Sequence, residues 1–116
     1  MKKIFTLALL MIASIAFSQQ KEPLFTQAGD LVKATYYNED GSISSQGFFK
    51  DKKLTGEWIR FDQKGKKTQV GYYKEGKKVG VWSFWKKDML RQVSYDDNTI
   101  VSVQTKKLED ITIADN

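Results

Sequence analysis

A chain of 116 residues makes at most one domain. It contains no histidine and no cysteine, which excludes disulfides, Ser-His-Asp and Cys-His nucleophile systems, and the usual transition-metal sites built from side chains. The formal net charge is +5. Basic residues are concentrated in the middle of the chain, where residues 47–93 hold 13 basic and 5 acidic side chains, and residues 19–46 and 94–116 on either side are acidic.

The first 18 residues have the pattern of a cleavable signal peptide. Lys2 and Lys3 form a basic start, an apolar run follows from Ile4 to Ala16, and small residues precede Gln19. A retained membrane anchor is the alternative, but the run is shorter than the roughly 20 apolar residues that span a bilayer. We expect cleavage before Gln19, which leaves 17 basic and 14 acidic residues and a net charge of +3. Without a cysteine for lipidation, the mature protein is predicted to be periplasmic or secreted.

Strand and turn signals alternate along the mature chain. Residues 19–30 contain the only proline and no clear periodicity, which predicts a flexible linker. Leu31 to Asn38 and Ile43 to Lys50 are β-prone stretches separated by a Gly-containing turn, as in a hairpin. A last strand is expected from Asn98 to Thr105, so that residues 31–105 form the β domain and residues 106–116 a C-terminal tail.

A pattern recurs with a period of 24 residues, which is typical of repeat architectures. The segment from Gly71 to Trp82 repeats the segment from Gly47 to Trp58. At this offset the paired aromatic residues, a lysine, an internal glycine and the tryptophan all align. The residues predicted to build the repeat are Gly47, Gly56, Trp58, Gly71, Gly80 and Trp82.

The glycines fall into two classes. Gly41, Gly65 and Gly76 follow polar residues, where a reversing chain often needs a positive φ that glycine adopts without strain. Gly56 and Gly80 stand two residues before a tryptophan, inside a strand or at its start. Glycine there marks close packing or a bulge, and we expect the ring of one repeat to lie over the glycine of its neighbour.

The aromatic spacing predicts rings on both faces of the sheet, or bulges in the strands. Trp58 and Phe61 are three residues apart, as are Trp82 and Trp85, and such pairs point to opposite faces of a regular strand. We assign Trp58 and Trp82 to the core. Phe61 and Trp85, at the opposite parity, are the candidate aromatic contacts for a partner.

Lysines gather at the ends of the predicted hairpins. One interpretation is that they maintain solubility and prevent the sheet from pairing with itself. The other is that they bind an anionic partner, either lipid headgroups or an acidic protein surface. The carboxylates alternate with lysines or lie near turns, which favours a solvated surface over a tuned acid and base pair. The candidate partner-binding lysines are Lys52, Lys53, Lys66, Lys67, Lys77 and Lys78.

The motif G-[FY]-[FY]-K-x-x-K-x-x-G-x-W-x-x-[FW] resembles the bacterial variant of the MORN repeat, found in proteins labelled YwqK-family antitoxins. The resemblance covers about Leu31 to Val103, and the chain departs from it at Lys52 and at Ser94, where glycines are expected. It implies an all-β fold, an extended and twisted antiparallel sheet of consecutive MORN-type hairpins. It also implies an interaction module, since MORN repeats are regarded as phospholipid or protein binders and the YwqK label implies neutralisation of a toxin.

The sequence therefore predicts an exported, non-enzymatic β-repeat module without a cofactor or metal. Its predicted partner is a protein of unknown identity, as for an antitoxin or immunity protein. The alternative is an envelope protein that binds anionic membrane or lipopolysaccharide through its lysines. Nucleic acid is not expected as a partner of an exported chain.

Overall fold

The computed structural model describes residues 21–114, and the signal peptide predicted for residues 1–18 lies outside this range. The described chain forms eight strands and one short terminal helix. The elements are β1 (Leu24–Ala28), β2 (Leu31–Tyr37), β3 (Ile43–Lys50), β4 (Lys53–Phe61), β5 (Lys67–Lys74), β6 (Lys77–Lys86), β7 (Met89–Asp96), β8 (Thr99–Lys107) and α1 (Leu108–Ala114).

The strands form one open antiparallel sheet in which each strand pairs with the next in the chain. This meander confirms the prediction of an all-β antiparallel sheet. At about 4.8 Å between strands, it is a broad single layer. No helix within residues 21–114 is long and apolar enough to cross a bilayer.

The segment predicted to be a flexible linker contains a strand, so that part of the prediction is wrong. β1 pairs with β2, with Leu24 opposite Thr35 and Ala28 opposite Leu31. A tight turn joins the two strands, and its Gly29 has a φ of 65°. A run of five residues is too short to show an alternating pattern, and its pairing is visible only once β2 is placed. At the other end, β8 continues to Lys107, and α1 occupies the predicted tail.

The two ends of the strands differ in their connections. The turn end, as we call it, carries tight two-residue turns at residues 29–30, 51–52, 75–76 and 97–98. The loop end carries five-residue loops at 38–42 and 62–66 and a short turn at 87–88. In the second loop, Asp62 N–H donates to the Lys66 carbonyl at 2.8 Å, and Gly65 N–H donates to the Asp62 carbonyl at 3.1 Å. Gly41, Gly65 and Gly76 all have positive φ, as the sequence predicts.

At the turn end, hairpins are also bonded to their neighbours. Gly76 N–H donates to the Leu54 carbonyl at 2.9 Å, which ties the β5–β6 turn to β4. Asn98 N–H donates to the Lys78 carbonyl, and its side-chain oxygen accepts from Lys78 N–H, both at 2.9 Å. These bonds fix the positions of neighbouring turns relative to one another.

Alternation of side chains divides the sheet into two faces. The front face, as we call it, carries the ring contacts of Trp58 and Trp82 with the phenols and phenyls around them. The back face carries the intervening residues, including Phe48, Tyr72 and Trp85. Few side chains are deeply buried, because within residues 21–114 no second layer covers the sheet. The buried hydrophobic residues are Ala34, Trp82, Leu90 and Val93.

Candidate functional site

Each central tryptophan on the front face lies over a glycine of the preceding strand. The indole of Trp58 occupies the space where a Cβ of Gly47 would stand, and the indole of Trp82 does the same above Gly71. Trp58 Nε1 donates to the Phe48 carbonyl and Trp82 Nε1 to the Tyr72 carbonyl, each at 3.1 Å. Because any side chain on these glycines would displace the ring, the two pairs have a structural role.

The structure corrects the role predicted for Gly56 and Gly80, which are not the glycines under the rings. Both have positive φ, 65° and 72°. A Cβ on Gly80 would come no closer than 3.8 Å to Tyr72. Both lie where the pairing register shifts, in β4 opposite β3 and in β6 opposite β5. Each therefore forms a bulge, and this bulge lets the tryptophan that follows fold over the facing strand.

The front face carries a continuous row of aromatic contacts. Tyr73 lies between the two indoles, with ring centroids 6.2 Å from Trp58 and 5.0 Å from Trp82. Burial in this row raises the pKa of the Tyr73 phenol above its ordinary value, an effect that the nearby charge of Arg60 partly opposes. Ring packing accounts for these residues, so the front row is primarily what holds the single layer together.

Phe61 and Trp85, the predicted aromatic contacts, both lie at the loop end. Trp85 is half-buried on the back face, directly opposite Leu90, and the β6–β7 ladder is regular between it and Trp82. Phe61 is half-buried at the end of β4, after a register shift between Arg60 and Phe61. Neither side chain is among the exposed large hydrophobic residues.

The six predicted lysines are not brought together. Lys66 and Lys67 lie at the loop end, and Lys52, Lys53, Lys77 and Lys78 lie at the turn end. Lys78 is on the front face, where its Nζ lies 5.0 Å from the Trp82 ring centroid and 5.2 Å from that of Tyr95. Its ammonium group makes cation–π contacts with the aromatic row, so these contacts within the chain account for its position.

Four lysines form a row on the back face at the turn end. Lys50 is directly opposite Lys53, and Lys74 is directly opposite Lys77. Like charges facing each other across strands are destabilising, so this arrangement weakens the sheet unless an external anion lies beside it. We name these four residues the basic row: Lys50, Lys53, Lys74 and Lys77.

A depression of about 470 Å³ lies within the basic row. Three lysines, Thr55 and the two turn carboxylates line it: Lys50, Lys53, Lys74, Asp51 and Glu75. The ion pair found within residues 21–114 joins Lys50 Nζ to Asp30 Oδ2 at 3.6 Å, and both side chains are largely exposed. Such an exposed pair holds Lys50 only weakly, so the row presents cations to solvent.

An exposed apolar patch adjoins the basic row on the back face. Tyr72 is 39% exposed and Val81 is 46% exposed. Tyr72 pairs with Glu57 on one side and Val79 on the other, and its hydroxyl lies 3.4 Å from a Glu57 carboxylate oxygen. The back face thus combines cations and apolar surface with the Glu57 carboxylate, and the carboxylates of Asp51 and Glu75 lie beside the basic row.

Sequence reasoning missed Lys50 and Lys74 as site residues, although both were visible in the repeat. They occupy equivalent positions 24 residues apart, each immediately before a hairpin turn. Strand alternation from Gly47 and Gly71 would have placed them on the face opposite the tryptophans. Lysines that are close in sequence lie on both faces of a strand, so grouping them by sequence position does not reveal the basic row.

A larger depression of about 580 Å³ lies near the β6–β7 turn. Phe84, Met89 and Arg91 are among the residues that line it, on the front face.

Within residues 21–114 no group of three or more carboxylates is placed to hold a metal ion. Comparisons of the chain with protein-family models, curated proteins and solved structures found no match.

Proposed function

We propose that the chain is a non-enzymatic binding module whose back face binds a protein partner with an acidic and apolar surface. The observation that supports this most directly is the basic row beside the exposed Tyr72 and Val81. Interfaces commonly combine an apolar centre with charged surroundings. The 24-residue MORN-type repeat would then be the scaffold, and the role would be that of a YwqK-like antitoxin or immunity protein acting in the periplasm or outside the cell.

Glu57 favours a protein partner over a lipid surface. Its carboxylate lies on the back face beside Tyr72, at the edge of the exposed patch and on the side away from Val81. A flat anionic bilayer pressed on this face would meet a like charge there, whereas a protein surface can place a donor opposite it. The charge pattern of the back face is thus mixed in the way a specific protein interface requires.

A photo-crosslinking residue at position 81 tests the proposal in the cells that make the protein. Val81 is exposed on the back face, so a probe there should capture one predominant protein. A probe at Arg60, exposed on the front face, is the matched control and should not capture it. Reversing the charge of two row residues, with Lys53→Glu and Lys74→Glu, should abolish the adduct. An adduct that persists after charge reversal, or that forms equally from position 60, would contradict the proposed face.

The basic row also supports a second candidate, attachment to an anionic membrane or lipopolysaccharide surface. Each basic residue near an anionic bilayer contributes about 1 kcal/mol to binding, and salt screens that contribution. Co-sedimentation with phosphatidylglycerol vesicles over increasing salt separates the candidates. Binding that fades with salt, and is lost in the doubly charge-reversed variant, supports the lipid surface; absence of binding at low salt removes it.

Export can be tested separately. The signal-peptide pattern leads us to propose that the mature chain begins at Gln19. The intact mass of the protein recovered from the periplasm or medium should match residues 19–116. An unprocessed chain that remains in the cytoplasm would contradict this localisation.

A further inference from the structure

The outer edge of β8 is open. β8 is the last strand of the sheet, and within the described residues nothing pairs with its outer side. All nine of its residues are exposed, and three of them are β-branched hydrophobics: Ile100 at 56%, Val101 at 67% and Val103 at 54%. Such a strand presents unpaired backbone N–H and C=O groups together with apolar side chains.

β8 has little of the protection that edge strands usually carry. Natural edges are shielded by proline, by a charge in the middle of the strand or by shortness. β8 is nine residues long, has no proline, and is uncharged from Thr99 to Thr105. One bulge, where the register shifts opposite Tyr95, interrupts its first part only. By contrast, β1 at the opposite edge has five residues.

The chain after β8 is held on the inner side of the strand. Leu108 N–H donates to the Asp88 carbonyl at 2.7 Å, which continues the β7–β8 ladder by one more bond. α1 therefore starts beyond the end of β8, and the outer edge between Thr99 and Thr105 is left open.

Charges at the two ends of β8 specify the orientation of a partner strand. Asp97 stands in the turn two residues before β8, and Lys106 and Lys107 end the strand. A parallel copy would place like charges together, whereas an antiparallel copy places the lysines of each strand beside the turn aspartate of the other. The strand is thus complementary to itself in the antiparallel sense only.

We propose that two copies of the chain pair through β8 about a two-fold axis and form one continuous antiparallel sheet. Two-fold contacts of this kind are self-complementary and closed. Ile100 and Val103 pair with Tyr95 and Val93 on β7, so the front aromatic row of one copy would continue into the other. The back face stays free, which makes this inference independent of the proposed partner.

Substitution of Val103 tests the pairing. The gene for all 116 residues is expressed so that the host can remove any leader. Light scattering then gives the molar mass of the purified protein at a series of concentrations. The wild type should shift from monomer to dimer. Val103→Lys, at an exposed position near the centre of the strand, should raise the concentration for dimerisation about tenfold or more, because the two lysines would lie diagonally across the axis near residue 102, on the same face of the sheet. The control Val81→Lys puts the same charge at a similarly exposed valine of an interior strand and should leave dimerisation unchanged.

Cysteine pairing gives a second readout, since the chain has no cysteine of its own. Ser102→Cys should form a disulfide-linked dimer under mild oxidation, because residue 102 lies near the proposed axis and facing Cβ atoms are about 5 Å apart. Ser94→Cys is the control: Ser94 is directly opposite Ser102 on β7, one strand in from the edge, and should not cross-link. A monomer at all concentrations, equal cross-linking of both variants, or open-ended oligomers would overturn the proposal.

Discussion

The two Gly–Trp units of the front face share one local design but differ in burial. In both, an indole covers a glycine and donates to a carbonyl ten residues earlier, with bonds of 3.1 Å. Trp82 is nevertheless 2% exposed, whereas Trp58 is only half-buried. Trp82 Nε1 also donates to the Val79 carbonyl at 3.2 Å. A second acceptor for one hydrogen does not cover a ring, so the difference in burial must come from the residues beside each ring.

Three substitutions between the units account for the difference. The residue directly opposite the indole on the next strand is Val93 for Trp82 and Gly71 for Trp58. The residue two positions after the tryptophan is Phe84 in one unit, with its ring 6.3 Å from Trp82, and the exposed Arg60 in the other. Lys78 also lies over Trp82, where the first unit has Leu54. The glycine and tryptophan that the two units share therefore set the position of the ring, and the variable neighbours set how much it stabilises the sheet.

Truncation of the two tryptophans should expose this difference most strongly. Trp82→Ala should destabilise the fold by about 3–5 kcal/mol, since it removes a fully buried ring together with its contacts to residues of the two neighbouring strands. Trp58→Ala should cost about 1–2 kcal/mol less, because part of that ring is already in water. Chemical denaturation followed by circular dichroism measures both. Equal losses would show that neighbours do not determine the contribution of the ring.

The glycines beneath the rings give the next largest effect. Gly71→Ala should destabilise by about 2–3 kcal/mol, because the added methyl overlaps the Trp82 indole and the ring must move. Gly71 also pairs with Trp58, so it serves both units, and Gly47→Ala should cost less. Gly29→Ala is the control. The added methyl group has no atom within 4 Å, so the expected loss is only the strain of a positive φ, about 1 kcal/mol. Thermal melting of the three variants decides the order, which a larger loss at Gly29 would contradict.

Much of the sheet could be predicted from the sequence because its turns carry strong local signals. The hairpin from Leu31 to Lys50 and the glycines at φ above 80° follow directly from turn chemistry. The exchange of roles between Gly56 and Gly47 could not be predicted in the same way. Which glycine lies under a ring depends on a two-residue bulge between β3 and β4, and the bulge is a property of the pairing rather than of either strand alone.

The candidate site was predicted less well, since a binding surface depends on which face each side chain takes. Lys77 and Lys78 are adjacent in sequence but lie on opposite faces, one in the basic row and the other over Trp82. Lys50 and Lys74 are distant in sequence but line the same depression. Charge clustering along the chain is therefore a poor guide to charge clustering on a sheet, and parity within each strand is the better one.

The bulge glycines provide a smaller, local test. Gly80→Val should destabilise by about 2 kcal/mol, because valine tolerates the φ of 72° poorly. Gly76→Asn, in the β5–β6 turn at φ 81°, should cost about 0.5 kcal/mol, since asparagine adopts the left-handed region more readily. Urea denaturation midpoints compare the two variants. Equal midpoints would mean that the backbone at position 80 relaxes to a negative φ and that the bulge is not required.

The smallest expected effect comes from the hairpin turns within the two units. Lys52 and Gly76 are equivalent, and Lys52 adopts a φ of 66° that costs a side-chain residue about 1–2 kcal/mol. Lys52→Gly relieves this strain but adds freedom to the unfolded chain, so we expect a net gain of about 0.5 kcal/mol. The reverse change, Gly76→Lys, should lose about the same amount or slightly more.

Combining both changes separates backbone strain from charge. The variant with Lys52→Gly and Gly76→Lys keeps the composition of the chain and moves one lysine from the first turn to the second. If strain alone matters, the two effects should add to nearly zero in calorimetry, since the bond from Gly76 N–H to the Leu54 carbonyl uses backbone atoms only and is kept. A stability well below that of the wild type would instead show that a third lysine beside Lys74 and Lys77 is repelled. That outcome would mean that the basic row is already at the limit of positive charge that the turn end tolerates without an anionic partner.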